Sequence, residues 1–210
     1  MRDRPRCREV ACWTGETEAT IEIADVPVGM LYAGYADLSR MTEWSPLLSS
    51  VTIDPQRPTQ SVWVMRVPGP LKVAAKMLGY ATTVKWSADL RAPGPPCMNW
   101  TSVLDDSGKL EGIPNAEFVP SGSVEIAQLR PGRAAMTLRL RYELPEPTAR
   151  WKIALVQSAP VQFILQSRMH AGLERFSKAM AREWLERGEA EQAGTPPVAG
   201  IQIHSSEAAR

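Results

Sequence analysis

The chain has 210 residues, with 24 basic and 23 acidic side chains and a formal net charge of +1. That balance excludes the clustered basic footprint of a nucleic-acid binder, and no run of apolar residues is long enough for a membrane-spanning helix. Three cysteines (Cys7, Cys12 and Cys97) make a disulfide framework a poor expectation and a reducing, intracellular compartment a better one. The opening residues, MRDRPRCREVACW, are too charged for a secretory signal, and a plastid or other organelle stays open as a location. A chain of this size buries about 70% of its unfolded surface and needs no metal or disulfide staple.

Ile21 and Ile23 suggest a short first strand. Asp25 is the expected cap of a helix with Pro27 in its first turn, where a missing donor costs nothing. Leu31, Tyr35 and Leu38 follow at helical spacing. A second cap at Asp37 predicts a brief helix ending near Trp44-Ser45-Pro46, because the residue before proline resists helix.

The middle of the chain alternates. Val84, Trp86, Ala88 and Leu90 stand between Lys85, Ser87, Asp89 and Arg91. Met98, Trp100, Ser102 and Leu104 make another such face, as do Met136, Leu138, Leu140 and Tyr142. A period of two marks strands with one buried and one wet side. Pro93-Gly94-Pro95-Pro96, Asp105-Asp106-Ser107-Gly108 and Arg130-Pro131-Gly132 supply turns between them, so an antiparallel meander is expected.

Pro145 and Pro147 end the last strand, and residues 149–157 suit one or two weakly amphipathic turns. Pro160 then opens a long helix in which Val161, Leu165, Met169, Leu173, Phe176, Met180 and Trp184 recur at steps of four, four, four, three, four and four. Such spacing lays one apolar stripe on one face, and the concave face of the sheet is the candidate to cover it. Glu174 and Lys178 form an oriented pair on the wet side, and Gly188 is the natural stop. The residues from 188 to 210 read as a polar tail, too small in apolar content to build a core.

Four stretches carry a likeness: DVPVGMLYAGYADLSRMTEWSPLLSSV, NWTSVLDDSGKLEG, TLRLRYELPEP and SRMHAGLERFSKAMAREW. With the order of elements, they resemble the START and Bet v 1-like superfamily, in its polyketide cyclase/dehydrase or coenzyme Q-binding START branch. The resemblance implies an α+β helix-grip fold: a curved antiparallel sheet around a long C-terminal helix, with two short helices between strands one and two. It places the domain at residues 17–187, after an N-terminal extension 1–16 and before the tail 188–210. The stretches mark fold and carry no catalytic signature.

The residues expected to line a cavity are Trp44, Val84, Trp86, Leu90, Met98, Trp100, Leu104, Phe118, Met136, Leu138, Leu140, Tyr142, Leu165, Met169, Leu173 and Phe176. Large rigid aromatics and adaptable methionines suit an apolar pocket, although the same residues also fill ordinary cores. Other chemistry is thin. His170 and His204 have no HxxxH or HExxH partner, and Cys7 and Cys12 form no CxxC, so neither metal nor cofactor is expected. Gly108, Gly112, Gly122 and Gly132 read as turn glycines and not a phosphate loop; Asp105 and Asp106 read as a hairpin turn rather than a carboxylate pair. Arg66, Arg139 and Arg141 fall on faces predicted wet; an arginine pointing inwards would instead hold a carbonyl or carboxylate of a ligand.

Three functions fit. The first is a non-catalytic carrier of an apolar molecule (quinone, lipid, pigment or isoprenoid), which needs a pocket of roughly a few hundred Å³. The second is an accessory subunit of a membrane-associated electron-transfer or photosynthetic complex. It would dock through residues 68–80, the apolar stretch 151–166 and the tail, with peripheral membrane contact as a further option. The third is a polyketide cyclase or dehydratase, which needs polar groups converging inside the cavity.

Overall fold

The structure, a computed structural model, describes residues 12–67, 69–73, 83–94, 97–103, 119–145 and 150–192. Within these, the side chains of residues 83–94 and of a few others, Tyr142 and Lys152 among them, lie outside the description. Seven strands form one antiparallel sheet: β1 (Cys12–Ala24), β2 (Leu48–Asp54), β3 (Arg57–Arg66), β4 (Thr83–Gly94), β5 (Cys97–Ser102), β6 (Val119–Arg130) and β7 (Arg133–Pro145). Their order is β1-β7-β6-β5-β4-β3-β2, so β2 to β7 run as the expected meander and β1 closes onto β7. Between β1 and β2 lie α1 (Val28–Ala36), a 3₁₀ turn (Leu38–Arg40) and α2 (Met41–Trp44). A short α3 (Arg150–Val156) precedes α4 (Ala159–Gln192), whose 34 residues cross the concave face of the sheet and pack chiefly along β1. This is the helix-grip architecture.

The pairing of β1 with β7 shows why the sheet has one dry side. Thr17, Ala19, Ile21 and Ile23 alternate inwards and are buried. Between them Glu16 faces Arg141 and Glu18 faces Arg139 in register, with ion pairs at 2.6 and 3.2 Å; Arg139 also reaches Glu125 at 2.9 Å. Opposite charges directly across strands support the ladder and keep that face wet. On the inner side Met98, Val124, Ile126 and Met136 are fully enclosed, and Phe176 of α4 seals the centre of the core.

Several local expectations change. β1 reaches back to Cys12 and is far longer than Ile21 and Ile23 alone suggested. Asp25 does not cap α1: Pro27 holds the N-cap position, and Asp25 adopts a left-handed φ of 59° with its N–H donating to the Gly132 carbonyl at 2.7 Å. That bond ties the end of β1 to the β6–β7 turn, where Gly132 takes φ 74° as a tight turn demands. Asp37 does cap its 3₁₀ turn, its carboxylate accepting from Ser39 N–H at 3.1 Å. α4 runs through Gly188 to Gln192, because one glycine costs a long packed helix only about 1 kcal/mol. Trp184, at the end of the predicted stripe, is 41% exposed, and Glu174 faces His170 (3.4 Å) rather than Lys178. Gly122 lies inside β6 and not after a turn. Asp105, Asp106, Ser107 and Gly108 lie outside the described residues, as do Gly112, Cys7, His204 and most of the 68–80 insert.

Candidate functional site

The inner faces of β2, β3, β5 and β7, the α2–β2 connection and one flank of α4 enclose a cavity of about 80 Å³. A water needs roughly 10–15 Å³ by the same measure, so there is room for a handful of waters or one small ring. This is below the roughly few hundred Å³ of a pocket that swallows a whole drug-sized ligand, and it corrects the size expected for a carrier.

The walls are built from the strands upward. β3 turns Ser61, Trp63 and Met65 to the inside, and Trp63 Nε1 donates to the buried Ser61 hydroxyl at 2.6 Å. Trp100 on β5 packs beside it, ring centroids 5.2 Å apart and tilted by 46°. Leu138 and Leu140 of β7 extend this floor. Opposite, Trp44 meets Phe176 edge-on at 5.0 Å and Tyr35 meets the same ring at 5.6 Å. Burial pushes the Tyr35 hydroxyl above the ordinary phenol range and holds it neutral. The buried Trp44 N–H has no hydrogen-bond partner among the described residues.

A charged clasp holds this wall to α4. Arg40 pairs with Glu43 at 3.1 Å, makes a short ion pair with Glu183 of α4, and lies 5.5 Å from the Trp44 ring centroid. The hydrogen bonds to Glu183 and Glu43 raise the Arg40 pKa further, so the cation is permanent. Gly172 of α4 completes the contact. A Cβ there would stand 3.3 Å from Pro46 Cδ and 3.4 Å from the Trp44 carbonyl, so a bare α-carbon lets the Trp44-Ser45-Pro46 corner sit close.

Of the residues expected to line the cavity, Trp44, Trp100, Leu138, Leu140, Met169 and Leu173 do border it. Met98, Met136 and Phe176 are enclosed in the core instead, and Leu165 is half-buried on α4 and does not border the cavity. The side chains of Val84, Trp86, Leu90 and Tyr142, and all of Leu104 and Phe118, lie outside the described residues. Sequence reasoning missed Tyr35, Met41, Ser45, Leu47, Leu48, Trp63, Met65, Arg168 and Gly172. For Trp63 a signal existed in its period-two relation to Ser61 and Met65, but the unbroken run Val62-Trp63-Val64-Met65 hides which face is inner. Arg168 had none, since a charged residue on a helix reads as solvated. Arg66, Arg139 and Arg141 do not border the cavity, and Arg139 and Arg141 pair with glutamates on the outer face. Among the described residues no group of histidine, cysteine or carboxylate side chains is placed to hold a metal.

No protein-family model matches the sequence, and no curated protein matches it significantly. Solved structures do share its fold. Protein TTHA0849 from Thermus thermophilus superposes with a TM-score of 0.57 at 17% identity, covering 80% of this chain and 99% of its own. Truncated norcoclaurine synthase from Thalictrum flavum gives 0.55 at 11% identity, over 81% and 96% of the two chains. A START superfamily protein from Mycobacterium smegmatis superposes more loosely, at 0.47 and 15% identity over 85% and 98%. At such identities the likeness is one of fold alone: the chain shares a helix-grip architecture with these proteins, with its cavity between sheet and terminal helix.

Proposed function

We propose that this protein binds a small apolar molecule, or the apolar end of a larger one, in the cavity beneath α4, and that it does so without catalysis. The observation that carries the reading is the wall of Trp44, Trp63 and Trp100 around an opening bordered almost wholly by carbon. Rigid aromatic surface held by its own contacts loses little freedom when a ligand arrives. The cavity volume suits one ring or a short chain, so a quinone, lipid, pigment or isoprenoid would insert in part. Among the described residues that border the cavity, only Tyr35 and Arg168 carry ionisable groups, and burial holds Tyr35 neutral. That set favours binding over a cyclase or dehydratase, which needs an acid and a base converging on one substrate. Native mass spectrometry of gently purified protein, with solvent extraction of what co-purifies, tests the reading. A stoichiometric apolar molecule is expected; a chain that stays empty and fails to bind small aromatic probes overturns it.

A second reading concerns the rim. Trp151 is 51% exposed, Phe163 70% and Val73 69%, within the two stretches the sequence singled out. Exposed large side chains on neighbouring helices suit an apolar partner surface, by which the protein would serve as an accessory subunit or touch a membrane peripherally. No helix among the described residues is long and apolar enough to cross a membrane. Replacing Trp151 and Phe163 by serine should leave the fold intact and abolish retention on vesicles or in a co-purified complex. Unchanged retention would refute the rim reading.

A further inference from the structure

Among the described residues that border the cavity one is charged, and it is a cation. Arg168 is exposed to solvent yet borders the cavity, so it stands at the mouth, where interior and water meet. Along α4 the bordering positions are Arg168, Met169, Gly172 and Leu173, one stripe running from the rim inwards; Met169 and Leu173 are 3% and 2% exposed. The helix positions three and four away from Arg168 are Ile164, Leu165, Ala171 and Gly172, none of which offers a carboxylate. Among the described residues Arg168 has no ion pair, whereas Arg133, Arg139 and Arg141 on the outer face each meet a glutamate. No aspartate or glutamate is among the described residues that border the cavity. Ser45, across the close contact at Gly172, adds a hydroxyl donor to the same wall.

Resting on the binding function proposed above, we infer that the ligand is an apolar molecule bearing one carboxylate, its body against Trp63 and Trp100 and its acid group on Arg168 at the mouth. The chemistry suits each part. A guanidinium offers a planar fork of donors matched to a carboxylate, and its position at the rim spares both charges full desolvation. The dry floor then takes a ring or a short alkyl chain, which is what about 80 Å³ admits. A short aromatic acid and a fatty acid inserted by one end share this chemistry.

The test uses the full chain with 3-phenylpropanoate and octanoate, each beside its methyl ester, and reads tryptophan fluorescence and titration heat. For at least one pair the acid should bind about ten- to hundred-fold more tightly than the ester, the range of a charge-assisted hydrogen bond. Arg168→Gln should abolish that preference while ester binding stays within about two-fold, well inside the range of a lost neutral contact. Arg175→Gln, exposed on the same helix but away from the cavity, should keep it; circular dichroism on both variants checks the fold. Acid and ester binding equally, or a preference that survives Arg168→Gln, overturns the inference and leaves the cavity reading in place. If no probe binds at all, both fall.

Discussion

The indole of Trp100 fills the space above Gly122, its cross-strand partner on β6: an added Cβ there would lie 2.4 Å from Trp100 Cζ2 and 2.5 Å from the Arg139 carbonyl oxygen. The glycine therefore seats one of the cavity's aromatic walls, because it lets a large ring settle against the backbone of its neighbouring strand. Gly122→Ala should push the indole off that seat and destabilise the fold by about 1–3 kcal/mol, as overpacking does. Urea unfolding measures the loss, and a shift in tryptophan emission reports the displaced ring. An unchanged midpoint with unchanged emission would show that the strand yields instead.

Phe176 is fully buried and is the ring onto which both Tyr35 and Trp44 pack. Phe176→Ala removes the partner of two aromatic walls at once, at an expected cost of about 3–5 kcal/mol. Thermal denaturation should show a large fall in Tm. A loss under about 1 kcal/mol would mean the wall collapses into the gap, contrary to the packing described.

Tyr35 sets an alkaline limit. In the unfolded chain its hydroxyl has a pKa of 10.0, and burial raises it in the fold. Its contribution is complete below pH 10; above that, the unfolded chain ionises first and stability drains away as pH climbs towards the folded value. Chemical denaturation from pH 8 to 11 should show this decline, and Tyr35→Phe should flatten it. A decline of the same slope in Tyr35→Phe would assign the effect to other groups.

Arg40 and Glu183 join the short-helix segment to α4 with side chains only 28% and 23% exposed. Because partial burial limits screening without abolishing it, a double-mutant cycle over Arg40→Met and Glu183→Gln should return a coupling of about 0.5–1 kcal/mol. The coupling should shrink in 1 M salt, where the Debye length is about 3 Å. Zero coupling at low salt would make the pair incidental.

Much of the fold was legible because its signals are local. Met136, Leu138 and Leu140 alternate with Thr137, Arg139 and Arg141, and the buried members of the α4 stripe, Met169 to Met180, recur with the helical period. Asp37 was expected as a cap, and its carboxylate accepts from the Ser39 N–H two residues on. Asp25 misled, since an aspartate before proline reads as a cap, while its left-handed backbone is set by a bond to Gly132, over a hundred residues away in the chain.

The candidate site was legible only by half, and the reason is geometric. Period two says that Met98 and Trp100 share a face, but both were expected at the cavity, and only their places along the strand decide that Trp100 borders it while Met98 is sealed in core. Arg168 reads in sequence as one more solvated helix charge; closing α4 over the sheet brings it to the mouth of an apolar space. The sequence by itself determined which faces are dry and that a long helix must be gripped, because side-chain periodicity is a property of neighbouring residues. Tertiary structure alone decided how large the enclosed space is and which cation guards it, because both depend on how distant strands and α4 close on one another.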